Sequence, residues 1–353
     1  MIGGANRVCR GAVLLVLIAA VALTGYPVRG QGDAPDLEQM PVLFRREAPP
    51  TGTPVSILMV GDVSFARNVQ RLTDERGIDH PLSLVAPWLR AADLTVGNYE
   101  GVIAADGVGE RRYGRWRLRA RPEAAPALAR AGFDLLTLAN NHTMDWGPEG
   151  LAATQRHLRE AGLLTVGAGP TREAARRPLL TTIRGVRIAW LAFTLVPDPP
   201  DDNRDTDDGW SRAILRYGDV DSVREAVEAA RPLADALIVQ FHWGDEYVFC
   251  PNHWQTDLGR AAIDAGASLV IAHHPHVIQR FGPYGDGFIA YSLGNFLFDQ
   301  DERPGMAVWI RVDRKGVIDV RGLSLRASAR PQWDAPRAWR AVLTGWCGSR
   351  FAE

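Results

Sequence analysis

Five short apolar runs of this chain each end in residues whose side chains commonly bind metal ions. The runs are SILMV before Asp62, LTV before the segment that ends at Glu100, LLTLA before the triplet containing Asn141 and His142, ALIVQF before His242, and LVIA before residues 273–276. Runs of this length that are rich in Val, Ile and Leu are typical of strands buried on both faces. Because ligands of open α/β sheets bind at the carboxyl ends of the strands, neighbouring strands would bring the five clusters to one site.

The candidate metal ligands combine carboxylate, amide and imidazole groups without a thiolate. They are Asp62, Glu100, Asn141, His242, His274 and His276. This donor set suits Mn, Zn or Fe better than Mg or Ca alone, and it predicts a centre of one or two divalent ions. Two ions about 3.5–4 Å apart would lower the pKa of a bound water and stabilise the oxygens of a phosphoryl displacement.

The last cluster, HHPH at 273–276, suggests a particular geometry. Residues two apart on an extended segment point the same way, and Pro275 favours an extended backbone, so we expect His274 and His276 to share one face. His273 would then point to the opposite side. We therefore expect His273 to be packed or hydrogen-bonded rather than bound to an ion.

Each cluster also has an ordinary structural explanation. Asp62 can cap a turn, Asn141 can cap a following helix, and His242 can be a core histidine. These explanations must hold independently at five strand ends, whereas one shared site accounts for all of them. A shared site is the preferred interpretation.

The elements that would position this site alternate between strands and helices. Helical patterns at 122–131, 148–161, 220–230 and 253–265 separate the apolar runs, which predicts βαβ units and parallel strands. Hairpin patterns at 179–195 and 277–297, and two alternating stretches after Met306, predict antiparallel neighbours. A mixed sheet, or two sheets packed under helices, is therefore expected.

The net charge and the N-terminal segment limit the class of protein to which this chain can belong. Forty Lys and Arg residues balance 41 Asp and Glu residues, which argues against a generally basic surface for nucleic acid. Arg7 and Arg10 precede an apolar stretch, the layout of a secretory signal. We expect export to the periplasm or the cell exterior, with residues 1–30 as a signal peptide or an anchor in the cytoplasmic membrane. Residues 31–53 are expected to be a linker, 54–330 the folded domain and 331–353 a C-terminal tail.

The cysteines leave one question open. Cys250 and Cys347 lie beyond the N-terminal segment, where an exported protein can form a disulfide bond. Two isolated, partly buried thiols are the alternative, and the spacing favours neither.

An arginine-rich segment follows the Glu100 cluster. Arg115, Arg117 and Arg119 alternate with apolar residues, so an extended strand would place their guanidinium groups on one face. Such a face could bind the carboxylates or phosphates of an anionic polymer. It could equally be a solvated strand edge whose arginines deter pairing. The position directly after Glu100 slightly favours substrate binding.

Six motifs of the chain resemble those of the CapA proteins of poly-γ-glutamate capsule synthesis. They are GDVSFAR at 61–67, VGNYEGVI at 96–103, LANNHTMDWGPEGL at 138–151, FHWGDEY at 241–247, AHHPHVIQ at 272–279 and YSLGNFLFDQ at 291–300. The motifs occur in order through about 240 residues. This family is in turn similar to the calcineurin-like metallophosphoesterases, so the resemblance implies an α/β four-layer sandwich of two mixed β-sheets flanked by helices.

The resemblance also assigns residues to roles. It implies that Asp62, Asn141, His242, His274 and His276 hold the metal centre, with Glu100 as the nearest carboxylate in the second motif, and that His142 contacts the phosphate or protonates the leaving group. Asp145 is its expected orienting partner, and Asn295 is expected to reach the site as a hydrogen-bonding group. Three positions depart from the hydrolase pattern: Ser64 stands where the hydrolases have a histidine, Asn98 stands where they have a bridging aspartate, and Ala272 is a small change from the glycine usual before the doubled histidine.

The resemblance implies an exported protein of capsule or poly-γ-glutamate synthesis, transport or anchoring. Its expected substrate is an anionic polymer or a phosphoester, and its expected partner is a membrane-bound polymer synthase complex. The alternatives are a metal-dependent phosphoesterase or other envelope hydrolase, and a non-catalytic polymer-binding assembly subunit. Whether the site is catalytic stays open at this point.

Overall fold

The computed structural model describes residues 20–22, 36–111, 116–196, 211–215, 218–300 and 302–334. Its α-helices are α1 (Asn68–Arg76), α2 (Ala86–Leu89), α3 (Ala124–Ala131), α4 (Gly147–Glu160), α5 (Arg172–Arg176), α6 (Val220–Ala230) and α7 (His253–Asp264). Short 3₁₀ helices lie at Leu37–Gln39, His80–Leu82 and Arg231–Leu233. Helices α3, α4, α6 and α7 confirm the four predicted helical segments.

The described strands run from the N-terminal segment to residue 333. They are β1 (Ala20–Ala22), β2 (Val42–Arg45), β3 (Val55–Val63), β4 (Leu94–Tyr99), β5 (Val102–Ile103), β6 (Arg119–Ala120), β7 (Leu135–Thr137), β8 (Leu164–Val166), β9 (Ala168–Gly169), β10 (Leu179–Ile183), β11 (Val186–Thr194), β12 (Ser211–Arg212), β13 (Ala236–His242), β14 (Leu269–His273), β15 (Phe281–Tyr284), β16 (Gly287–Ala290), β17 (Asn295–Leu297), β18 (Arg303–Asp313), β19 (Gly316–Ala327) and β20 (Gln332–Trp333).

Two large mixed sheets contain most of these strands. The nine-stranded sheet has the order β2-β19-β18-β3-β4-β7-β8, with β17 also paired to β3 and β20 to β19. The seven-stranded sheet has the order β1-β10-β11-β13-β14-β16-β15. Strands β3, β4 and β7 are parallel in the first sheet, and β11, β13 and β14 are parallel in the second. All five apolar runs predicted as strands are therefore strands, and each has a parallel neighbour.

The predicted antiparallel neighbours are also present. Strands β10 and β11 form the first predicted hairpin, β15 and β16 form the second, and β18 pairs with β19 along its length. The second hairpin is shorter than the pattern at 277–297 suggested, because only an isolated bridge joins Ile278 to Leu293 beyond it.

The hydrophobic core lies in three layers because successive strand residues face opposite sides of a sheet. Ile57 and Met59 of β3 pack between the two sheets with Trp190 of β11. Leu58, the residue between them, faces the layer formed with α1 to α4. Leu191 of β11 faces the layer formed with α6 and α7. The order is helix, sheet, sheet, helix, which confirms the predicted α/β sandwich of two mixed sheets flanked by helices.

The folded unit begins before the expected boundary near Pro54. Strand β2 lies inside the segment 31–53 that was expected to be a linker, and it pairs with β19. Arg46 follows it and donates to both carboxylate oxygens of Asp313 at 3.1 and 2.7 Å. In the same way β20, within the expected tail, pairs with β19. Long-range strand pairing produces both differences, and local composition does not reveal it.

Several expectations fall wholly or partly outside the described residues. Within residues 1–30 only β1 is described, and it pairs in parallel with β10. No helix among the described residues is long and apolar enough to cross a membrane. The signal or anchor stays a prediction. Cys250 is disulfide-bonded, whereas Cys347 lies outside the described residues, so their pairing also stays a prediction.

Candidate metal centre

The carboxyl ends of five parallel strands from both sheets meet at one place. Asn98 of β4 donates to Asp62 Oδ1 of β3 at 2.8 Å. His242 Nε2, at the end of β13, lies 2.8 Å from Asn141 Oδ1, which follows β7, and this contact joins the two sheets. Asp62 also accepts from the backbone N–H of His274 at 3.3 Å. The structure thus brings together the clusters that the sequence places at five separate strand ends.

The centre of the site is a buried group of three metal-ligand residues. Asp62, Glu100 and His242 each offer one ligand atom, and these atoms all lie within 4.8 Å of one another. Their side chains are 0–1% exposed. Both carboxylate oxygens of Glu100 are buried without a hydrogen-bond partner. An unpaired buried carboxylate is costly, and a cation would satisfy it, so these residues fit a divalent ion.

The electrostatics of the two carboxylates differ. Burial, and then the charge of Asp62, raises the pKa of Glu100 to about 8. Burial by itself would also raise the pKa of Asp62. The hydrogen bond from His276, the charges of His273 and His276, and the hydrogen bond from Asn98 together lower it below its ordinary value. Without an ion, the site therefore favours an ionised Asp62 beside a protonated Glu100.

The other predicted ligands, Asn141, His274 and His276, surround this group. The ring centroids of His242 and His274 are 4.8 Å apart, and His274 Nδ1 is buried without a hydrogen-bond partner. Burial and neighbouring imidazoles lower the pKa of His242, and they lower that of His274 to about 3. Both rings are therefore neutral, which is the form that binds metals.

His276 is the electrostatic exception among the imidazoles. Its Nε2 lies 3.9 Å from Glu100 Oε1. Burial alone would lower the pKa of His276, but Glu100, and then Asp62 and Asn295, raise it to about 9. In the absence of an ion the protonated His276 supplies positive charge beside the ionised Asp62.

The expected geometry of the HHPH segment is corrected in two respects. His274 and His276 have backbone φ angles of +96° and +55°, so the segment is not extended. Proline fixes only its own φ, and its neighbours His274 and His276 adopt the left-handed region at a conformational cost that the surrounding structure must offset. His273 is buried, as expected for a packed residue, but it does not point away from the site. Its two ring nitrogens are buried without partners, and Nδ1 lies 3.5 Å from Asp62 Oδ1. Strand β14 extends through His273 in register with His242, so both residues face the site.

His142 lies at the edge of the site with the partner that was expected for it. Its Nδ1 is 2.9 Å from Asp145 Oδ2, and its Nε2 is 3.8 Å from Glu100 Oε1. Asp145 is fully buried and also accepts from the backbone N–H of Leu118 at 2.6 Å and from Arg117 Nη1 at 2.9 Å. These contacts hold the carboxylate, and the carboxylate in turn holds the imidazole with Nε2 toward Glu100.

The expected single face of arginines is not what the structure shows. The Arg117 side chain is 3% exposed in its ion pair with Asp145, whereas Trp116 is 54% exposed. Among the described residues of this segment, 116–121, only Arg119 and Ala120 form a strand, β6, so the alternation does not extend over that part. Arg119 pairs with Asp106 and lies 4.9 Å over the Trp146 ring. Arg115 lies outside the described residues.

Asn295 is placed beside the site by β17, where it pairs in register with Asp62. Its Oδ1 lies 2.7 Å from His276 Nδ1. The structure therefore places Asn295 behind a candidate ligand, and its expected contact with substrate stays a prediction.

Asn140 and Asn98 form a connected pair that was not predicted from the sequence. Asn140 Nδ2 donates to Asn98 Oδ1 at 3.1 Å and to Tyr99 O at 2.8 Å. Asn140 Oδ1 accepts from His142 N at 3.1 Å. The doubled asparagine before His142 was the available signal. Ser64 is buried beside the site and supplies no imidazole there.

Fold and site together define an α/β protein with a candidate metal centre at the strand ends. Residues 56–300 match the family described as bacterial capsule synthesis protein PGA_cap. The chain therefore belongs to this family, which confirms the resemblance to the CapA proteins.

Individual relatives agree with this assignment. The chain is 33% identical over 258 residues to the capsule biosynthesis protein CapA of Bacillus anthracis, a match that covers 70% of this chain and 60% of that protein. It is 34% identical over 247 residues to the PGA biosynthesis protein CapA of Bacillus subtilis (strain 168), covering 70% and 64%. The match thus spans less than two thirds of the length of either Bacillus relative.

Proposed function

We propose that this protein takes part in the synthesis, transport or anchoring of an anionic extracellular polymer such as poly-γ-glutamate. In this proposal the strand-end site is a metal-dependent hydrolytic centre that acts on the polymer or on a phosphoester. The protein works outside the cytoplasm, with the N-terminal segment removed or retained as a membrane anchor, and its partner is a membrane-bound polymer synthase complex. Family membership supports the polymer, and the geometry of the site supports the metal.

The observation that carries the proposal is the state of Glu100. A fully buried carboxylate with two unpaired oxygens beside Asp62 is an expensive arrangement in a protein without an ion. A divalent cation removes this cost because it neutralises both carboxylates. No other group of three such residues with ligand atoms this close occurs in the described part of the chain.

Six residues would hold one or two ions of Mn, Zn or Fe in this proposal: Asp62, Glu100, Asn141, His242, His274 and His276. A bound ion would supply positive charge and lower the pKa of a water molecule at the site. His142 would exchange a proton with the substrate through Nε2, because its Nδ1 is engaged by Asp145. Asp145 keeps the ring in that orientation.

Metal analysis of the purified protein before and after chelation is the first test. Activity on model phosphodiesters and on polyglutamate with added Mn²⁺ is the second. The comparison is His142→Ala at matched metal content, with His157→Ala on α4 as a control, since His157 lies in an ion pair with Glu160. Equal inertness of wild type and His142→Ala on all substrates would refute hydrolysis.

A second candidate is a non-catalytic polymer-binding assembly subunit. Ser64 and Asn98 favour it, because each replaces a ligand of the hydrolase pattern and leaves a weaker centre. Binding would fall with salt and with Arg115→Ala combined with Arg119→Ala. Arg224→Ala on the exposed face of α6 is the control. Binding that is unchanged by the double substitution would remove this candidate's support. Arg117→Ala is unsuitable because that side chain is buried against Asp145.

A further inference from the structure

A loop after β13 packs directly onto the two candidate ligands of the HHPH segment. Within this loop, the backbone N–H of Tyr247 donates to Pro275 O at 2.8 Å, between His274 and His276. Gln279 Nε2 donates to Val248 O at 2.8 Å and holds the other side of the loop. Tyr247 thus lies beside the metal centre although its side chain is 43% exposed.

Side-chain hydrogen bonds continue from this tyrosine to His276. Gln300 Nε2 donates to Tyr247 Oη at 2.8 Å. Asn295 Nδ2 donates to Gln300 Oε1 at 3.0 Å. His276 Nδ1 lies 2.7 Å from Asn295 Oδ1, closer than the 3.5 Å that separates it from Asp62 Oδ2. Four residues therefore form an unbroken chain from the surface to a candidate ligand.

The hydrogen bonds between these four side chains have a defined donor-to-acceptor direction. Asn295 donates through its amide nitrogen to Gln300, so its carbonyl oxygen must face His276. That oxygen can only accept, so His276 must carry a proton on Nδ1, and its Nε2 is the nitrogen left to face Glu100. A flipped Asn295 amide would present a donor to Nδ1 and would reverse the arrangement. Tyr247 terminates the chain by giving Gln300 an acceptor.

We propose that Tyr247 is a positioning residue for His276, acting through Gln300 and Asn295. It supports the Gln300 and Asn295 side chains that hold Asn295 Oδ1 against Nδ1 of His276, which leaves Nε2 for the metal. This inference rests on the proposed metal centre and adds a residue that contacts no ligand atom. Partners that orient metal-bound histidines in this way commonly contribute about 10–100-fold to metal affinity.

Backbone conformation supports the inference independently. Tyr247, His274 and His276 all have positive φ angles, of +62°, +96° and +55°. Each such residue costs on the order of 1–3 kcal/mol, and such strain is retained mainly at functional sites. The Arg303 guanidinium also lies 5.0 Å over the Tyr247 ring and fixes the exposed side chain in place.

The test compares Tyr247→Phe and Gln300→Met with wild type in titrations with Mn²⁺ and Zn²⁺. Tyr284→Phe is the matched control, because its hydroxyl contacts Asp264, away from the metal centre. We expect a dissociation constant about 5–10-fold higher for each of the two variants and unchanged for the control. The double variant should bind metal as tightly as Gln300→Met alone, because both substitutions break the same series of hydrogen bonds.

Thermal unfolding in chelator separates positioning from general destabilisation. The metal-free midpoints of Tyr247→Phe and wild type should agree within about 1 °C, because only an exposed hydroxyl is removed. Dissociation constants within about twofold of wild type for both variants would overturn the positioning role while the metal centre stands. A wild-type protein that binds neither ion would overturn the metal centre, and the positioning role with it.

Discussion

Replacing Glu100 by glutamine should change the free energy of unfolding in opposite directions with and without metal. The substitution keeps the shape of the side chain and removes its charge. In the folded protein Glu100 is buried beside Asp62, and its oxygens have no hydrogen-bond partner. Burial, and then the charge of Asp62, raises its pKa from 4.5 to about 8.

The metal-free protein should become more stable on this substitution. A carboxyl whose pKa is raised on folding favours the folded state only while it is protonated. Its contribution to the free energy of unfolding is therefore fully present below pH 4.5 and is lost as the pH rises to about 8. At pH 7 the cost of protonating Glu100 on folding is about 3 kcal/mol. Glu100→Gln should recover up to this amount at pH 7 and almost nothing at pH 4.

With metal bound, wild type should be more stable than Glu100→Gln. An ion at a hundredfold excess over its dissociation constant stabilises the folded state by about 2.7 kcal/mol. Domains of 150–250 residues gain about 2–4 °C in melting temperature per kcal/mol, and larger domains gain less. Wild type should therefore gain several degrees with Mn²⁺ or Zn²⁺. The variant should gain less than about 2 °C, because it lacks an anionic ligand.

Differential scanning calorimetry at pH 4, 7 and 8, in chelator and in metal, measures both effects. Glu225→Gln on the exposed face of α6 is the control for loss of one negative charge. The reasoning would be refuted if Glu100→Gln were less stable than wild type by more than about 1 kcal/mol in chelator at pH 7. Equal stabilisation of both proteins by metal would refute it as well.

Three further predictions concern other parts of the fold and site. Asn98→Asp should destabilise the metal-free protein and tighten metal binding, because it replaces a donor to Asp62 with a third carboxylate at the site; calorimetric titration measures the affinity, and weaker binding would contradict the prediction. Asp313→Asn should cost about 1–3 kcal/mol at pH 7 in urea unfolding. Its lowered pKa, about 2 instead of 3.8, means that the difference from wild type should vanish as the pH falls through about 2. Gly61→Ala should cost about 3 kcal/mol or more, because its methyl group would overlap Gly294 O directly before β17 pairs with β3; a folded variant of wild-type stability would exclude that contact.

The helices and strands could be predicted because the pattern of apolar and polar residues that determines them lies in consecutive residues. The apolar runs became β3, β4, β7, β13 and β14, and the four helical patterns became helices. Parallel strands end on the same side of a sheet, so the convergence of Asp62 and His142 followed from the strand assignment. The packing of the second sheet against the first brings His242 to them. Family motifs reinforced this convergence.

The pairing of distant residues was not predictable in the same way. Strand β2 looks like a linker because its partner β19 lies about 270 residues away in the chain. Arg117 looks like a surface arginine until the fold brings Asp145 to it. His273 looks like a packed residue until the register with His242 turns it toward Asp62.

The sequence alone thus determined which residue types reach the strand ends and which segments form the layers. Only the tertiary structure decided which atoms face one another there: the unpaired oxygens of Glu100, the turn at His274 and His276, and the chain from Tyr247 to His276. The physical reason is that burial depends on local pattern, whereas hydrogen bonds and charges depend on angstrom-scale distances between residues far apart in the chain.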